Sequence, residues 1–119
     1  MLRRPRRVLA ACARILRIPA RVVVAGPSML PTLCDGDRLA VRRTQRAAPG
    51  ELVVFVDPEG SGRLIVKRAV AVTPSEVVVA GDNGGASRDS RHYGAVHVES
   101  LVGVAWYRYA PRDRVGPVH

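Results

Sequence analysis

A chain of 119 residues with 47% hydrophobic but only 4% aromatic side chains fits one small domain with a core of Val, Ala and Leu. The net charge of +9 is concentrated at one end: residues 1–21 carry seven arginines and no acid, and the rest hold 12 of the 19 basic side chains and all 10 acidic ones. Such a nearly neutral body, without a basic stripe interleaved with aromatics, argues against a specific nucleic-acid partner.

The first 20 residues are predicted to form a basic N-terminal arm. As a short amphipathic helix it would suit the surface of an anionic membrane, although a helix packed on the domain or a frayed basic tail fits equally well. Its apolar stretch, Val8–Ile18, contains Arg14 and Arg17, whereas a membrane-spanning helix needs about 20 apolar residues. We therefore expect no transmembrane span and a protein that is either peripheral to a membrane or cytoplasmic.

The body, residues 21–110, alternates short Val-rich runs with turns containing Gly, Pro and Asp, which predicts an all-β domain. Residues 81–94 are predicted to form a long loop rich in Gly, Asp and Ser, and residues 111–119 a C-terminal tail. The predicted strands are Arg21–Ala25, Arg38–Arg43, Glu51–Val56, residues 63–72, Glu76–Ala80 and Leu101–Tyr109.

The cysteines and histidines do not form a metal-binding pattern. Cys12 and Cys34 are the only cysteines and form no C-x-x-C, so two free thiols are expected rather than a disulfide. The three histidines make no H-x-x-x-H pair. The sequence therefore predicts neither a metal site nor a cofactor.

Lys67 is the only lysine among 19 Lys and Arg residues, and it lies in the apolar run RLIVKRAVAV. On a strand it shares a face with Ile65 and Ala69, where loss of water disfavours the ammonium form. A lysine held neutral can act as a general base, which arginine cannot, because its guanidinium stays protonated. The alternative is a lysine that extends to solvent from a strand edge.

Ser28, in GPSMLPT at the end of the first predicted strand, is a candidate nucleophile, since catalytic groups are commonly displayed on loops of a rigid sheet.

The loop GDNGGASRDSR is only a weak candidate for a phosphate-binding site, because no G-K-[ST] follows it. A triad of Ser28, Asp89 and either His92 or His97 is the second arrangement, but nothing in the sequence brings an imidazole near Ser28.

Together these segments resemble the type I signal peptidases, a family of Ser–Lys peptidases, in order and over most of residues 22–109. GPSMLPTL with CDGDRLAV resembles the nucleophile box and the strand after it, and PGELVVF resembles the next strand. LIVKRAV resembles the lysine box, and GDNGGASRDSRHYGAV followed by LVGVA resembles the C-terminal box. The resemblance implies a compact β fold of the signal-peptidase and LexA type, with coiled, barrel-like antiparallel sheets, and no cofactor.

The resemblance also assigns roles to residues. It implies Ser28 as the nucleophile, Lys67 as the general base and Ser87 as the residue that orients the lysine amine. Met29 would help to hold the site, and backbone N–H groups of Ser28 and near Gly26 would bind the oxyanion. The polar residues implied to brace the site are Arg68, Asp82, Asp89 and Arg91.

The chain departs from the family pattern in three ways. It shows no N-terminal membrane span, it has only residues 71–80 between the lysine and C-terminal boxes, and GDNGG replaces the usual GDN followed by arginine. The short form resembles the proteases that mature nickel superoxide dismutase. The self-cleaving LexA-type domains share the chemistry, but this chain lacks their DNA-binding helices.

The expected function is a serine endopeptidase that removes a leader or signal peptide from a precursor bound as an extended segment. One alternative is a cytoplasmic protease that matures a nickel superoxide dismutase precursor. The other is a non-catalytic module that docks on a membrane or nucleic acid through its basic arm.

Overall fold

The computed structural model describes residues 20–119, so the predicted N-terminal arm, with Cys12, lies outside the described residues apart from Ala20. Antiparallel strands dominate this part of the chain. They are β1 (Ala20–Val23), β2 (Arg38–Arg43), β3 (Leu52–Val56), β4 (Leu64–Val72), β5 (Glu76–Ala80), β6 (Val96–His97), β7 (Leu101–Ala110) and β8 (Gly116–Pro117). The short helix α1 (Ser90–Tyr93) and the 3-10 turns Gly84–Ala86, Val98–Ser100 and Arg112–Arg114 complete the elements.

The strands form one sheet in the order β1-β2-β7-β3-β4-β5-β6, and β8 also pairs with β7. The all-β prediction is confirmed. All six predicted strands are present, and those over Arg38–Arg43 and Glu76–Ala80 have the predicted bounds. Strand β1 differs from its prediction at both ends, and β3, β4 and β7 each differ by one residue at one end.

Strand β3 separates two hydrophobic cores because both of its faces are covered. Leu52 and Val54 pack into one core with residues of β1, β2 and β7. Val53 and Phe55 point the other way, into a second core with residues of β4, β5 and β7. A strand buried on both faces needs a continuous apolar run, and LVVFV supplies it.

Strands β1 and β4 each have an open edge in the part of the chain that the structure describes. Strand β1 is the first in the sheet and pairs only with β2. Strand β4 pairs with β3 from Leu64 to Arg68, but with β5 only from Arg68 onward. The first half of β4 therefore has one free edge, which faces the groove described below.

Residues 111–119, expected to be a tail, pack against the sheet. Strand β8 pairs with β7, and the Val118 N–H donates to the Trp106 carbonyl at 3.1 Å. The Val118 side chain is buried in the first core. Between residues 20 and 119 no helix is long and apolar enough to cross a membrane.

Candidate active site

Ser28 lies on the loop that connects β1 to β2, and two buried side chains anchor this loop. Met29 and Leu33, on either side of a turn, are 1% and 0% exposed and pack into the first core. Gly26 takes a positive φ of 83°, which favours glycine, and its N–H donates to the Asp35 carboxylate at 2.8 Å. The loop is thus closed on itself while Ser28 stays partly accessible.

The hydrogen bond of the Gly26 N–H limits which backbone groups can bind an oxyanion. Because the Gly26 N–H is already bonded to Asp35, it is not free to bind an oxyanion in this conformation. The Ser28 N–H, in contrast, donates to no acceptor within residues 20–119. Within residues 20–119, the Ser28 N–H therefore remains available to an oxyanion, whereas the Gly26 N–H does not.

Lys67 lies in β4 opposite Val53 and is only 4% exposed. Strand alternation places it on the same face as Ala69 and Ile65, which pack into the second core. Its Nζ donates to the Ser87 Oγ at 2.9 Å. The ammonium group is therefore withdrawn from water and held by a neutral hydroxyl.

Burial lowers the pKa of Lys67 below its usual value, because loss of water disfavours the charged form. The Asp89 carboxylate opposes this shift and raises the pKa, whereas the Arg91 guanidinium adds to the lowering. The net direction is downward, so the neutral amine forms at a lower pH than in an exposed lysine.

Ser87 and Asp89 continue the hydrogen-bond chain from Lys67. The Ser87 Oγ donates to the Asp89 Oδ2 at 3.2 Å, and the Gly81 N–H donates to the same oxygen at 3.0 Å. Arg91 donates from Nε and Nη2 to the two carboxylate oxygens at 2.9 and 3.0 Å. These bonds, with that of Arg91 foremost, hold the pKa of Asp89 well below its usual range. Asp89 thus stays ionised and fixes the Ser87 hydroxyl.

The Asp89 carboxylate also explains a helix that the sequence did not predict. It accepts a bond from the Arg91 N–H and caps α1, while the His92 side chain accepts from the Asp89 N–H. This reciprocal cap uses Asp and His in place of the more usual Ser or Thr with Glu. In addition, Arg91 Nη2 donates to the Gly84 carbonyl at 2.9 Å, so an arginine side chain reaches the position at which the sequence departs from the family's GDN-arginine pattern.

Gly81 brings the Ser28 loop and Ser87 together. A Cβ at residue 81 would lie within 2.7 Å of the Ser28 carbonyl oxygen and would overlap the Ser87 side chain. Asn83 pairs with the same loop, because its N–H donates to the Ser28 carbonyl at 2.9 Å and its side chain to the Pro27 carbonyl at 3.1 Å. The Ser28 loop and the loop that carries Ser87 therefore meet in close contact at Gly81.

Asp82 and Arg68 brace the loop from the other direction. Arg68 donates from Nε and Nη2 to the two Asp82 oxygens at 3.2 and 2.6 Å, and the Thr32 hydroxyl donates to Asp82 as well. Burial opposes ionisation of this carboxyl, but the bonds from Arg68 and Thr32 keep its pKa below the usual value. The Asp82 N–H also contacts the Met29 sulfur at 3.4 Å.

A groove of about 660 Å³ opens between β1 and the first half of β4, and both Ser28 and Lys67 line it. Its apolar wall includes Val24, Met29 and Val54. Charged residues line it too: Arg21, Asp57, Glu59, Arg63 and Arg88. Two of these charges pair across it, because Arg88 donates to both Glu59 oxygens at 3.0 and 2.7 Å.

The histidines occupy other positions. His92 contacts the backbone of Asp89, whose carboxylate binds Arg91, Ser87 and Gly81. His97 lies in β6, opposite Glu76, and neither histidine lines the groove with Ser28. These contacts do not assemble the alternative Ser–His–Asp triad. Among the described residues, no three His, Cys, Asp or Glu side chains cluster as metal ligands do, and Cys34 is a free thiol.

The described residues form a small all-β domain in which a serine and a buried lysine line one groove. A nucleophile and a potential base on one groove are the arrangement of a serine peptidase. The signal peptidase family, peptidase S26, matches residues 7–80, which is more than half of the chain. The chain therefore belongs to this family, as the sequence resemblance predicted. No curated protein matches the chain at a significant level.

The family match ends at residue 80, so the loop that carries Ser87 and Asp89 lies beyond it. The loop is connected to the matched region by the bond between Lys67 and Ser87, by that between Asn83 and Ser28, and by that between Asp82 and Arg68. Sequence reasoning missed Thr32, Gly81 and Asn83 as parts of the site. Gly81 and Asn83 flank the Asp82 that was selected, so their position was a usable signal, whereas Thr32 gave none beyond following a proline.

Proposed function

We propose that this protein is a serine endopeptidase in which Ser28 is the nucleophile and Lys67 the general base, and that it removes a leader or signal peptide from a precursor. The observation that carries the proposal is the burial of Lys67 on the groove that Ser28 also lines, with its amine held by Ser87. Membership of the signal peptidase family supports the same reaction class.

In the first half of the reaction, neutral Lys67 takes the proton of the Ser28 hydroxyl, and the oxygen attacks the carbonyl carbon of the scissile peptide bond. The Ser28 N–H, which has no acceptor within residues 20–119, can donate to the oxyanion that forms. Collapse of the tetrahedral intermediate breaks the C–N bond, and Lys67 returns the proton to the leaving amine.

In the second half, Lys67 takes a proton from water, and the resulting hydroxide attacks the acyl-enzyme ester. The ester bond to Ser28 breaks, the Ser28 oxygen takes the proton back from Lys67, and the new carboxyl end is released. Ser87 holds the amine through both halves, because its own hydroxyl is fixed by ionised Asp89.

The substrate fits the groove as an extended strand. Strand β1 and the first half of β4 present open edges toward the groove, and an extended peptide can pair with such edges through its backbone. Ser28 follows the carboxyl end of β1, and Lys67 is the last residue of the half of β4 that does not pair with β5, so a peptide laid between the two strands would carry its scissile bond to Ser28.

The test is Ser28→Ala and Lys67→Arg, each assayed for cleavage of a precursor and for reaction with a serine-directed fluorophosphonate. Both variants should lose cleavage, and the probe should label wild type at Ser28 but not the Lys67→Arg protein. Ser75→Ala, at an exposed serine outside the groove, is the matched control and should behave as wild type. A Lys67→Arg protein that cleaves at the wild-type rate would refute the proposal. Wild type that neither cleaves nor labels, but docks through its arm, would favour the binding module.

A further inference from the structure

A buried ion cluster joins the C-terminal segment to the loop that carries Ser28, and the reaction above makes no use of it. At its centre is Asp37, which is 1% exposed. Its carboxylate accepts bonds from Arg108 Nη1 at 2.9 Å and Arg114 Nη2 at 3.1 Å, and from the Cys34 N–H at 2.9 Å. A buried carboxylate with these partners has a fixed position, because removing any donor leaves charge without compensation.

Arg108 connects this cluster to the Ser28 loop itself. The same Nη1 that binds Asp37 also donates to the Thr32 carbonyl at 3.1 Å. Its Nε donates to the Arg114 carbonyl at 2.6 Å, so the C-terminal segment holds Arg108 from behind. The planar guanidinium can serve these acceptors together, which the single ammonium of a lysine cannot do in the same geometry.

Thr32 is therefore held from two sides. Its carbonyl binds Arg108, while its hydroxyl donates to Asp82, which pairs with the neighbour of Lys67 in β4, Arg68. Thr32 lies four residues after Ser28 on a loop without regular secondary structure. A contact chain thus runs from the C-terminal segment through the Ser28 loop to the strand that holds the base.

We propose that Arg114, acting through Asp37 and Arg108, is a positioning residue for the peptidase reaction. It keeps the loop in the conformation that presents Ser28 to the groove. This inference rests on the proposed function, in which Ser28 is the nucleophile. It gives the C-terminal segment, which the sequence suggested only as a tail, a part in catalysis without any contact with substrate.

The experiment compares Arg114→Gln with Arg112→Gln in the full chain. Arg112 is the matched control, because it is exposed on the same 3-10 turn and lies outside the cluster. For Arg114→Gln we expect kcat for precursor cleavage, and the rate of fluorophosphonate labelling at Ser28, to fall about 10- to 100-fold, as for a reacting group displaced by about 1 Å. KM should change less than about twofold, because the groove walls are untouched.

Three further readouts separate positioning from a general loss of structure. Rates are measured per folded molecule, with the folded fraction taken from circular dichroism. The pH at half-maximal rate should not move, because Arg114 makes no contact with the Lys67 network. Arg114→Lys, which keeps a cation near Asp37, should recover a large part of kcat.

Wild-type kcat in Arg114→Gln, a change confined to KM, or a shifted pH midpoint would each overturn the inference. If Arg114→Gln does not fold, Arg108→Lys replaces it, and an unchanged kcat there would overturn the inference in the same way. A wild-type protein that is not labelled at Ser28 would instead refute the proposed function. The two failures are therefore distinguishable.

Discussion

At the scale of single residues, the burial of Lys67 lowers the stability of the fold. A buried amine with one hydroxyl partner is less favourable than an apolar side chain of the same length, because burial disfavours its charged form. The position would tolerate methionine on packing grounds alone. The proposed reaction accounts for a lysine there, because it requires a group with a titratable amine to move the proton.

Lys67→Met tests this conflict between function and stability. Cleavage should be abolished, whereas the free energy of unfolding at pH 7 should rise by about 1 kcal/mol, since an apolar chain of similar shape needs no solvation. Urea denaturation of both proteins gives the comparison. A variant that is clearly less stable than wild type would show that Lys67 stabilises the fold and would count against a purely catalytic lysine.

The lowered pKa of Lys67 fixes the direction in which the cleavage rate and the stability change with pH. Because the folded pKa of Lys67 is lowered, the rate should rise as pH passes upward through that value, when the amine becomes neutral. The unfolded lysine keeps its proton to a higher pH. Stability should therefore also rise between the folded and unfolded pKa values, as the burial penalty on the ammonium is relieved. Rate and stability measured across this interval should climb together, and a rate that falls with rising pH would contradict a lysine base.

Two variants that each remove a charge near Lys67 should shift the acidic side of the pH–rate profile, the acid limb, in opposite directions. Asp89 raises the pKa of Lys67, so Asp89→Asn should shift the limb to lower pH. Arg91 lowers that pKa, so Arg91→Gln should shift it to higher pH. Profiles of kcat/KM against pH for both proteins provide the measurement. Shifts of the same sign would show that the limb belongs to another group.

At the scale of elements, the strands were predictable because local pattern determines them. Strand β4 alternates a buried Lys67 and Ala69 with less buried neighbours, and β3 is a continuous apolar run. The missed elements are too short to leave a pattern. Strands β6 and β8 have two residues each and form only because a neighbouring strand offers an edge. Likewise, the resemblance supplied Ser87 and Asp82, but the positions of Thr32 and Asn83 depend on tertiary contacts between distant segments.

The contact at Gly81 gives a prediction at this scale. Gly81→Ala would press a methyl group against the Ser28 carbonyl and the Ser87 side chain, so the two sides of the site must separate. We expect a loss of about 1–3 kcal/mol in stability, as for other overpacked sites, and a kcat reduced at least tenfold. Gly85→Ala is the control, because nothing lies within 4 Å of a Cβ there. Equal activity of the two variants would show that the close contact is unimportant for the site.

At the scale of the whole molecule, the site lies where two cores meet. Met29 and Leu33 anchor the Ser28 loop in the first core, whereas Ile65 and Ala69 flank Lys67 in the second. Strand β3 belongs to both cores, as does its neighbour β7, so this pair of strands fixes the relative position of the cores. The distance between Ser28 and Lys67 is therefore set by the sheet together with the contacts that hold the Ser28 loop.

This arrangement predicts that the two cores unfold together. Val54→Ala opens a cavity in the first core and Val53→Ala in the second, and each should destabilise the protein by about 1–3 kcal/mol. Both should keep one cooperative transition, with Trp106 fluorescence and far-ultraviolet circular dichroism changing at the same urea concentration. Separate midpoints for the two probes in either variant would contradict the shared strand as the link between the cores.

The open edges of β1 and β4 have a consequence for the protein in concentrated solution. Unpaired backbone groups that accept a peptide strand do not distinguish it from a strand of a neighbouring copy, so the groove is also a route to aggregation. Arg21, exposed on β1 and charged, works against such pairing. A tightly bound peptide would occupy both edges and should keep the protein monodisperse, which light scattering with and without the peptide would show.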